Sequence, residues 1–166
     1  NGQKFLSVVS LEGEYFQNYI TLNYQDLTVI SDKRYSHGVL VESFERKNNN
    51  DIYFYQKAKG INLRTNNPDR NVYTRYAYFV GLRGFPFAKQ EVDFRSYMFE
   101  YGNVLPIQVI NLGKTKIRVR GGTFECYKLQ LSVSGWQGIF AADKYYLYFE
   151  TKAPHQFIKF DQKVEN

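Results

Sequence analysis

The sequence predicts a mainly β fold of antiparallel meanders with one mid-chain helix, and three observations carry that expectation. Aromatic residues make up 18% of the chain, 15 of them Tyr and 14 Phe, beside only four Pro, and such side chains pack well on pleated, half-buried surfaces. Apolar and polar residues alternate at period 2 through most of the sequence. Clusters of Gly, Asn and Asp interrupt the alternation where hairpins need positive φ or a side chain that bonds its own backbone.

The first third reads as strands at Lys4–Tyr15, Tyr19–Ile30, Gly38–Lys47 and Ile52–Gly60. Lys47–Asp51, with three consecutive Asn, reads as the loop of a hairpin, and Arg64–Arg70, with Pro68, as a surface connection that ends the first meander. Over residues 69–83 the period changes. Asp69 is placed to cap a helix, and Tyr73, Tyr76, Ala77 and Val80 recur at i, i+3, i+4 and i+7. The same aromatics are β formers, so a strand is the competing reading there. Gly84, Phe85 and Pro86 stop either element.

From Gln90 the strand pattern returns. Val92, Phe94, Ser96 and Met98 alternate with Asp93, Arg95, Tyr97 and Phe99, apolar in part on both faces, which places this strand inside a sheet. Gly102–Asn103 reads as a turn before a strand over Val104–Ile110, and Asn111–Gly113 as a second turn before Lys114–Arg120. Gly121 and Gly122 read as a tight hairpin into Thr123–Val133, and strands at Tyr145–Thr151 and Gln156–Lys163 close the chain.

At 166 residues the chain is the size of one domain, 1–166, burying about 68–70% of its unfolded surface. With 43% hydrophobic residues and a net charge of +6 it is too apolar and too weakly charged for disorder. No apolar run approaches the ~20 residues of a membrane-spanning helix. The sequence opens on Asn1 rather than Met, so an N-terminal segment is expected to have been removed or left out, and a signal peptide or a lipid-modified cysteine is one candidate for it.

Motifs of the common enzyme classes are missing: no HExxH, GxSxG, GxxxxGK[ST], CxxC or calcium-loop pattern occurs. His37 and His155 both read as surface histidines, because a catalytic base needs substrate and orienting partner in reach. The single cysteine, Cys126, shares a strand face with Phe124 and Lys128. It reads as a packed thiol, the rival being a nucleophile in an electropositive setting. Glu91 and Asp93 form a carboxylate pair on one strand face or simply a solvated surface. Lys114, Lys116, Arg118 and Arg120 fall on one face at intervals of about 6.6–6.8 Å, a basic stripe that either meets phosphates or acidic polysaccharide or solvates an outer sheet face. No aromatics interleave with these cations, which disfavours nucleic acid. No catalytic residue, metal site or cofactor is expected.

Three segments carry a resemblance: Tyr-Ala-Tyr-Phe-Val-Gly-Leu-Arg at 76–83, Gly-Gly-Thr-Phe-Glu-Cys-Tyr-Lys-Leu at 121–129, and Tyr-Tyr-Leu-Tyr-Phe at 145–149. Together with an ending entered through Ala153-Pro154, they resemble a family of exported bacterial proteins of unknown function. That family's open antiparallel half-barrel is similar to the lipoprotein-localisation carriers and to outer-membrane lipoproteins of capsule operons. The resemblance implies a single strongly curved sheet of about nine to eleven strands, with a helix over 71–82 against its concave face, in the periplasm or at the outer membrane. The Ser134–Gly138 stretch is shorter than the family pattern, and residues 1–65 share only the alternation.

The expected function is a non-enzymatic exported protein that holds an apolar or amphipathic ligand, or a partner's hydrophobic segment, in an aromatic concavity. Tyr73, Tyr76, Phe79, Phe85, Phe87 and Trp136 are the candidate lining, since pockets favour aromatic walls. Plain core is the competing reading for each. A scaffold for an envelope or surface-polysaccharide complex, working through the basic stripe or a sheet edge, is the rival, and an enzyme on envelope glycans or lipids the third reading. Expected partners are a lipid-like small molecule or an envelope protein, with no nucleic acid, and membrane contact only through an N-terminal anchor.

Overall fold

The structure is a computed structural model that describes residues 4–47, 51–66, 72–74, 76–98, 103–133 and 143–164. The first six strands are β1 (Phe5–Glu12), β2 (Phe16–Asn23), β3 (Val29–Ser36), β4 (Val39–Lys47), β5 (Asp51–Gln56) and β6 (Ile61–Asn66). A two-residue β7 (Val72–Tyr73) precedes a one-turn helix α1 (Tyr78–Gly81) and a 3-10 turn at Leu82–Gly84. Then come β8 (Glu91–Met98), β9 (Asn103–Val119), β10 (Gly122–Val133), β11 (Asp143–Glu150) and β12 (Phe157–Val164).

The fold is mainly β with open sheets, but the single sheet of nine to eleven strands is corrected to two. The first is a meander in the order β1-β2-β3-β4-β5-β6, and the second runs β12-β11-β10-β9-β8 with the short β7 at its edge. Between β7 and β8 the chain holds a turn, a helical turn and Pro86, which has no amide to donate to a ladder. The chain divides into two compact units, residues 1–81 with 96–104, and 82–95 with 105–166.

The helix expected over 71–82 is corrected to Tyr78–Gly81. Val72 and Tyr73 pair as strand instead, and the turn into α1 is made by Thr74, whose hydroxyl accepts the Ala77 amide at 3.3 Å while its carbonyl accepts the same amide at 3.1 Å. The expected cap, Asp69, lies outside the described residues. Gly81 closes the helix at a position where a Cβ would collide with the Tyr73 ring, and Gly84 and Pro86, poor helix formers both, follow.

Other boundaries moved for local reasons. The strand expected over Tyr19–Ile30 is broken by two successive Asx turns, in which Asn23 Oδ1 accepts the Gln25 amide and Asp26 Oδ1 the Thr28 amide. The Ile52–Gly60 strand ends at Gln56, and Arg64, expected to open a connection, lies within β6, which runs to Asn66. β3 and β4 are joined by His37 and Gly38 with φ of 50° and 76°, the paired positive values of a tight right-twisting hairpin.

In the first unit the core lies on one face of the meander. Ile20, Leu22, Val29, Phe44, Ile52 and Phe54 are buried there with Val72, Tyr76, Ala77 and Val80, so β7 and α1 pack on that face. In the second unit both faces of β11 are buried. Leu147 and Phe149 face one way with Leu129 and Leu131, while Tyr146 and Tyr148 face the other with Cys126.

Candidate functional site

The core face of the first sheet should be apolar throughout, and it is not. β2 presents Phe16, Asn18, Ile20 and Leu22 to one side, and Asn18 is buried like its neighbours, at 1% exposure. Strand register extends that interruption across the sheet, because Asn18 sits opposite Arg34, Arg34 opposite Glu42, and Glu42 opposite Gln56. Side chains directly opposite in an antiparallel pair stand about 4.5–5.5 Å apart at Cβ, so these residues form a continuous polar row over β2, β3, β4 and β5.

Part of this row satisfies itself. Gln56 Nε2 donates to Glu42 Oε1 at 2.8 Å, and Arg34 Nη2 donates to Glu12 Oε2 at 2.8 Å. The Arg34 guanidinium is also clasped by two rings, 4.1 Å from the Phe16 centroid and 4.8 Å from that of Tyr76, a geometry that favours a desolvated cation. One step along the strands, buried Thr74 donates its hydroxyl to Asp32, fastening the chain before α1 to the middle of the sheet.

The rest of the row is unsatisfied. Among the described residues, Asn18 Nδ2 and Oδ1, Arg34 Nε and Gln56 Oε1 are buried side-chain atoms with no hydrogen-bond partner. Each such atom costs about 1–3 kcal/mol, and four on one sheet face are a departure from how cores are built. The row ends toward solvent at Glu12, whose side chain is 54% exposed. Sequence reading missed these residues, although a signal was present: Asn18 and Gln56 each occupy a buried position of an apolar alternation, Phe16-x-Asn18-x-Ile20 and Ile52-x-Phe54-x-Gln56.

The six aromatics expected to line a concavity fall into separate groups. Tyr76 is buried in the first unit's core against Arg34, and Tyr73 packs partly buried on the same core. Burial, and to a lesser degree Asp26, pushes the Tyr73 phenol above its ordinary pKa. Phe79, half-buried, belongs to α1. Phe85 and Phe87 belong to the second unit, where Phe87 is stacked on Tyr127 at 4.3 Å and touches Phe85 and His155 at 5.4 and 4.5 Å. Trp136 lies outside the described residues.

His155 is held by this aromatic group and by a 2.9 Å hydrogen bond between Nδ1 and the Glu150 carbonyl. His37 stacks on Tyr15 at 4.6 Å. Cys126 is fully buried, and its thiol is pushed up in pKa first by burial and then by Glu150 and Glu125, the opposite of what a nucleophile needs. Glu91 accepts a 2.7 Å hydrogen bond from Gln108, and the Asp93 side chain lies outside the described residues. Lys114, Lys116, Arg118 and Arg120 are all exposed, with Thr115, Ile117 and Val119 half-buried on the reverse face. No group of His, Cys, Asp and Glu able to hold a metal occurs among the described residues, and no helix there is long and apolar enough to cross a membrane.

No family model matches the sequence, and no curated protein matches it. Among solved structures, the chain is similar to the crystal structure of a beta-barrel-like protein of domain of unknown function DUF1849 from Brucella abortus. The similarity has a TM-score of 0.49 and 7% identity, and it covers 91% of this chain and 69% of that one.

Proposed function

We propose that this chain is a non-enzymatic binding protein for an amphipathic ligand, whose polar end meets the Asn18–Arg34–Glu42–Gln56 row. One observation carries the reading: four buried polar atoms without partners on the sheet face that also packs Ile20, Leu22, Val29, Phe44, Ile52 and Phe54 as apolar core. A site that gives up stability to keep unsatisfied polar groups is best explained by a molecule that satisfies them. Tyr76 lies against Arg34 of the row, Tyr73 packs on the adjoining apolar core, and both retain the role of apolar contacts. Export to the periplasm or outer membrane remains part of the proposal on the strength of the sequence resemblance.

The test is a trade of stability against binding. Asn18→Leu keeps the branched shape of the side chain and removes two unsatisfied atoms, so the ligand-free variant should melt higher, by about 2–4 °C per kcal/mol regained in a chain of this size. Wild type isolated from its own cells should carry a small amphipathic molecule detectable by native mass spectrometry, and the variant should not. A destabilised Asn18→Leu, together with an empty wild type, would remove the reading.

The exposed stripe of Lys114, Lys116, Arg118 and Arg120 favours a second reading, in which this hairpin face captures an acidic partner in the envelope. Reversing Lys116 and Arg118 to Glu should abolish that capture, and unchanged capture rejects it.

A further inference from the structure

The arrangement of the unsatisfied atoms says which kind of head group fits, an inference that rests on the ligand-binding reading above. Asn18 Nδ2 and Arg34 Nε are donors, while Asn18 Oδ1 and Gln56 Oε1 are acceptors. A carboxylate or phosphodiester offers only acceptors at neutral pH and an ammonium only donors, so any of these would leave half of these atoms unmet. A hydroxyl both donates and accepts.

Charge points the same way. The Arg34 guanidinium is already paired with Glu12 at 2.8 Å. Glu42 lies directly across from Arg34 on β4, and Asp32 is two residues along β3, fastened to Thr74. Arg46, the further cation of this face, donates its Nε to the Val29 carbonyl at 3.4 Å at the far end of the sheet. An anionic head placed on the row would therefore face Glu12, Glu42 and Asp32 with Arg34 already engaged, and like charges in a desolvated setting repel strongly. A neutral head escapes that cost.

Span decides between one polar group and several. Asn18 on β2 and Gln56 on β5 are three strand spacings apart, about 14 Å of backbone separation. A single amide reaches one end of such a row, whereas a head carrying several hydroxyls presents donors and acceptors along it.

We infer that the site takes a neutral polyhydroxylated head group, of the glycoside or polyol class, on an apolar tail. Its way in is the Glu12 end of the row, where the polar side chains reach solvent.

The experiment compares two probes of one tail length on the purified full chain: octyl β-D-glucoside below its micelle concentration, and octanoate. Titration calorimetry should give at least tenfold tighter binding of the glucoside. Asn18→Leu and, separately, Gln56→Leu should each pull the glucoside down to the octanoate level while leaving octanoate unchanged. Two variants at opposite ends of the row guard against one that fails to fold, and the wild-type comparison needs neither. Equal or tighter binding of octanoate overturns the head-group inference and leaves the amphipathic-ligand reading standing. Binding of neither probe overturns both and assigns the unsatisfied atoms to buried water.

Discussion

Tyr148 shows how a single side chain carries a pH dependence. It is buried on the β11 face that it shares with Cys126, and its phenol is pushed up to about 12, first by burial and then by Asp161, which also accepts its hydrogen bond. In the unfolded chain a tyrosine ionises near pH ~10. Between those two values the folded protein keeps a proton that the unfolded chain has lost. Stability from this group is therefore complete below about pH 10 and falls as pH rises toward 12, by about 1.4 kcal/mol per pH unit. Urea unfolding of wild type and Tyr148→Phe between pH 9 and 11 should show the smaller alkaline loss in the variant. Parallel curves would mean that the proton is not held more tightly in the fold. Tyr145, Tyr146 and Tyr148 look alike as letters, and only the pairing of β11 with β10 and β12 separates the buried face from the rest.

At the scale of elements, Asn111–Gly113 is instructive because its residues were legible and its geometry was not. Asn and Gly mark a turn in sequence, yet β9 runs unbroken from Asn103 to Val119. The turn chemistry builds a bulge instead: β10 advances from Tyr127 to Leu129 while β9 advances from Lys114 to Asn111, one residue more. Gly113 takes the extra residue at a φ of 88°. Asn111 fixes it by accepting the Gly113 amide at 2.9 Å and donating to the Phe87 carbonyl at 2.9 Å. Whether an Asn-Gly cluster turns or bulges depends on the partner strand, which is non-local information. Asn111→Ala removes both bonds and should cost about 1–3 kcal/mol, with Asn111→Asp recovering the acceptor half only. Chemical denaturation of the three proteins orders them, and an Ala variant as stable as wild type would show that the backbone holds the bulge unaided. The helix reading failed for a related reason. Tyr73, Tyr76, Ala77 and Val80 do share one buried surface, but a strand, a Thr74-closed turn and one helical turn bring them there.

At the scale of the whole molecule, alternation and aromatic content were enough to read a mainly β chain, while the break into two sheets lay in pairings that no single segment reports. The buried polar row belongs to this scale too, since Asn18, Arg34, Glu42 and Gln56 are spread over nearly forty positions of sequence and meet only through register. The two compact units each own a set of buried apolar residues, which makes their cooperativity measurable. Ile52 is fully buried in the first unit, and Ile52→Val should weaken it by about 0.5–1.5 kcal/mol. Central strands exchange their amides only through larger openings, so that loss appears as exchange faster by roughly two- to twelvefold. If each core stabilises its own unit, the acceleration is confined to amides of β2 to β5, and those of β9 to β11 keep their wild-type rates in native-state hydrogen exchange. Equal acceleration in both sets would instead make the chain a single cooperative unit. In that case any ligand that satisfies the polar row of the first sheet would protect the second sheet by the same free energy.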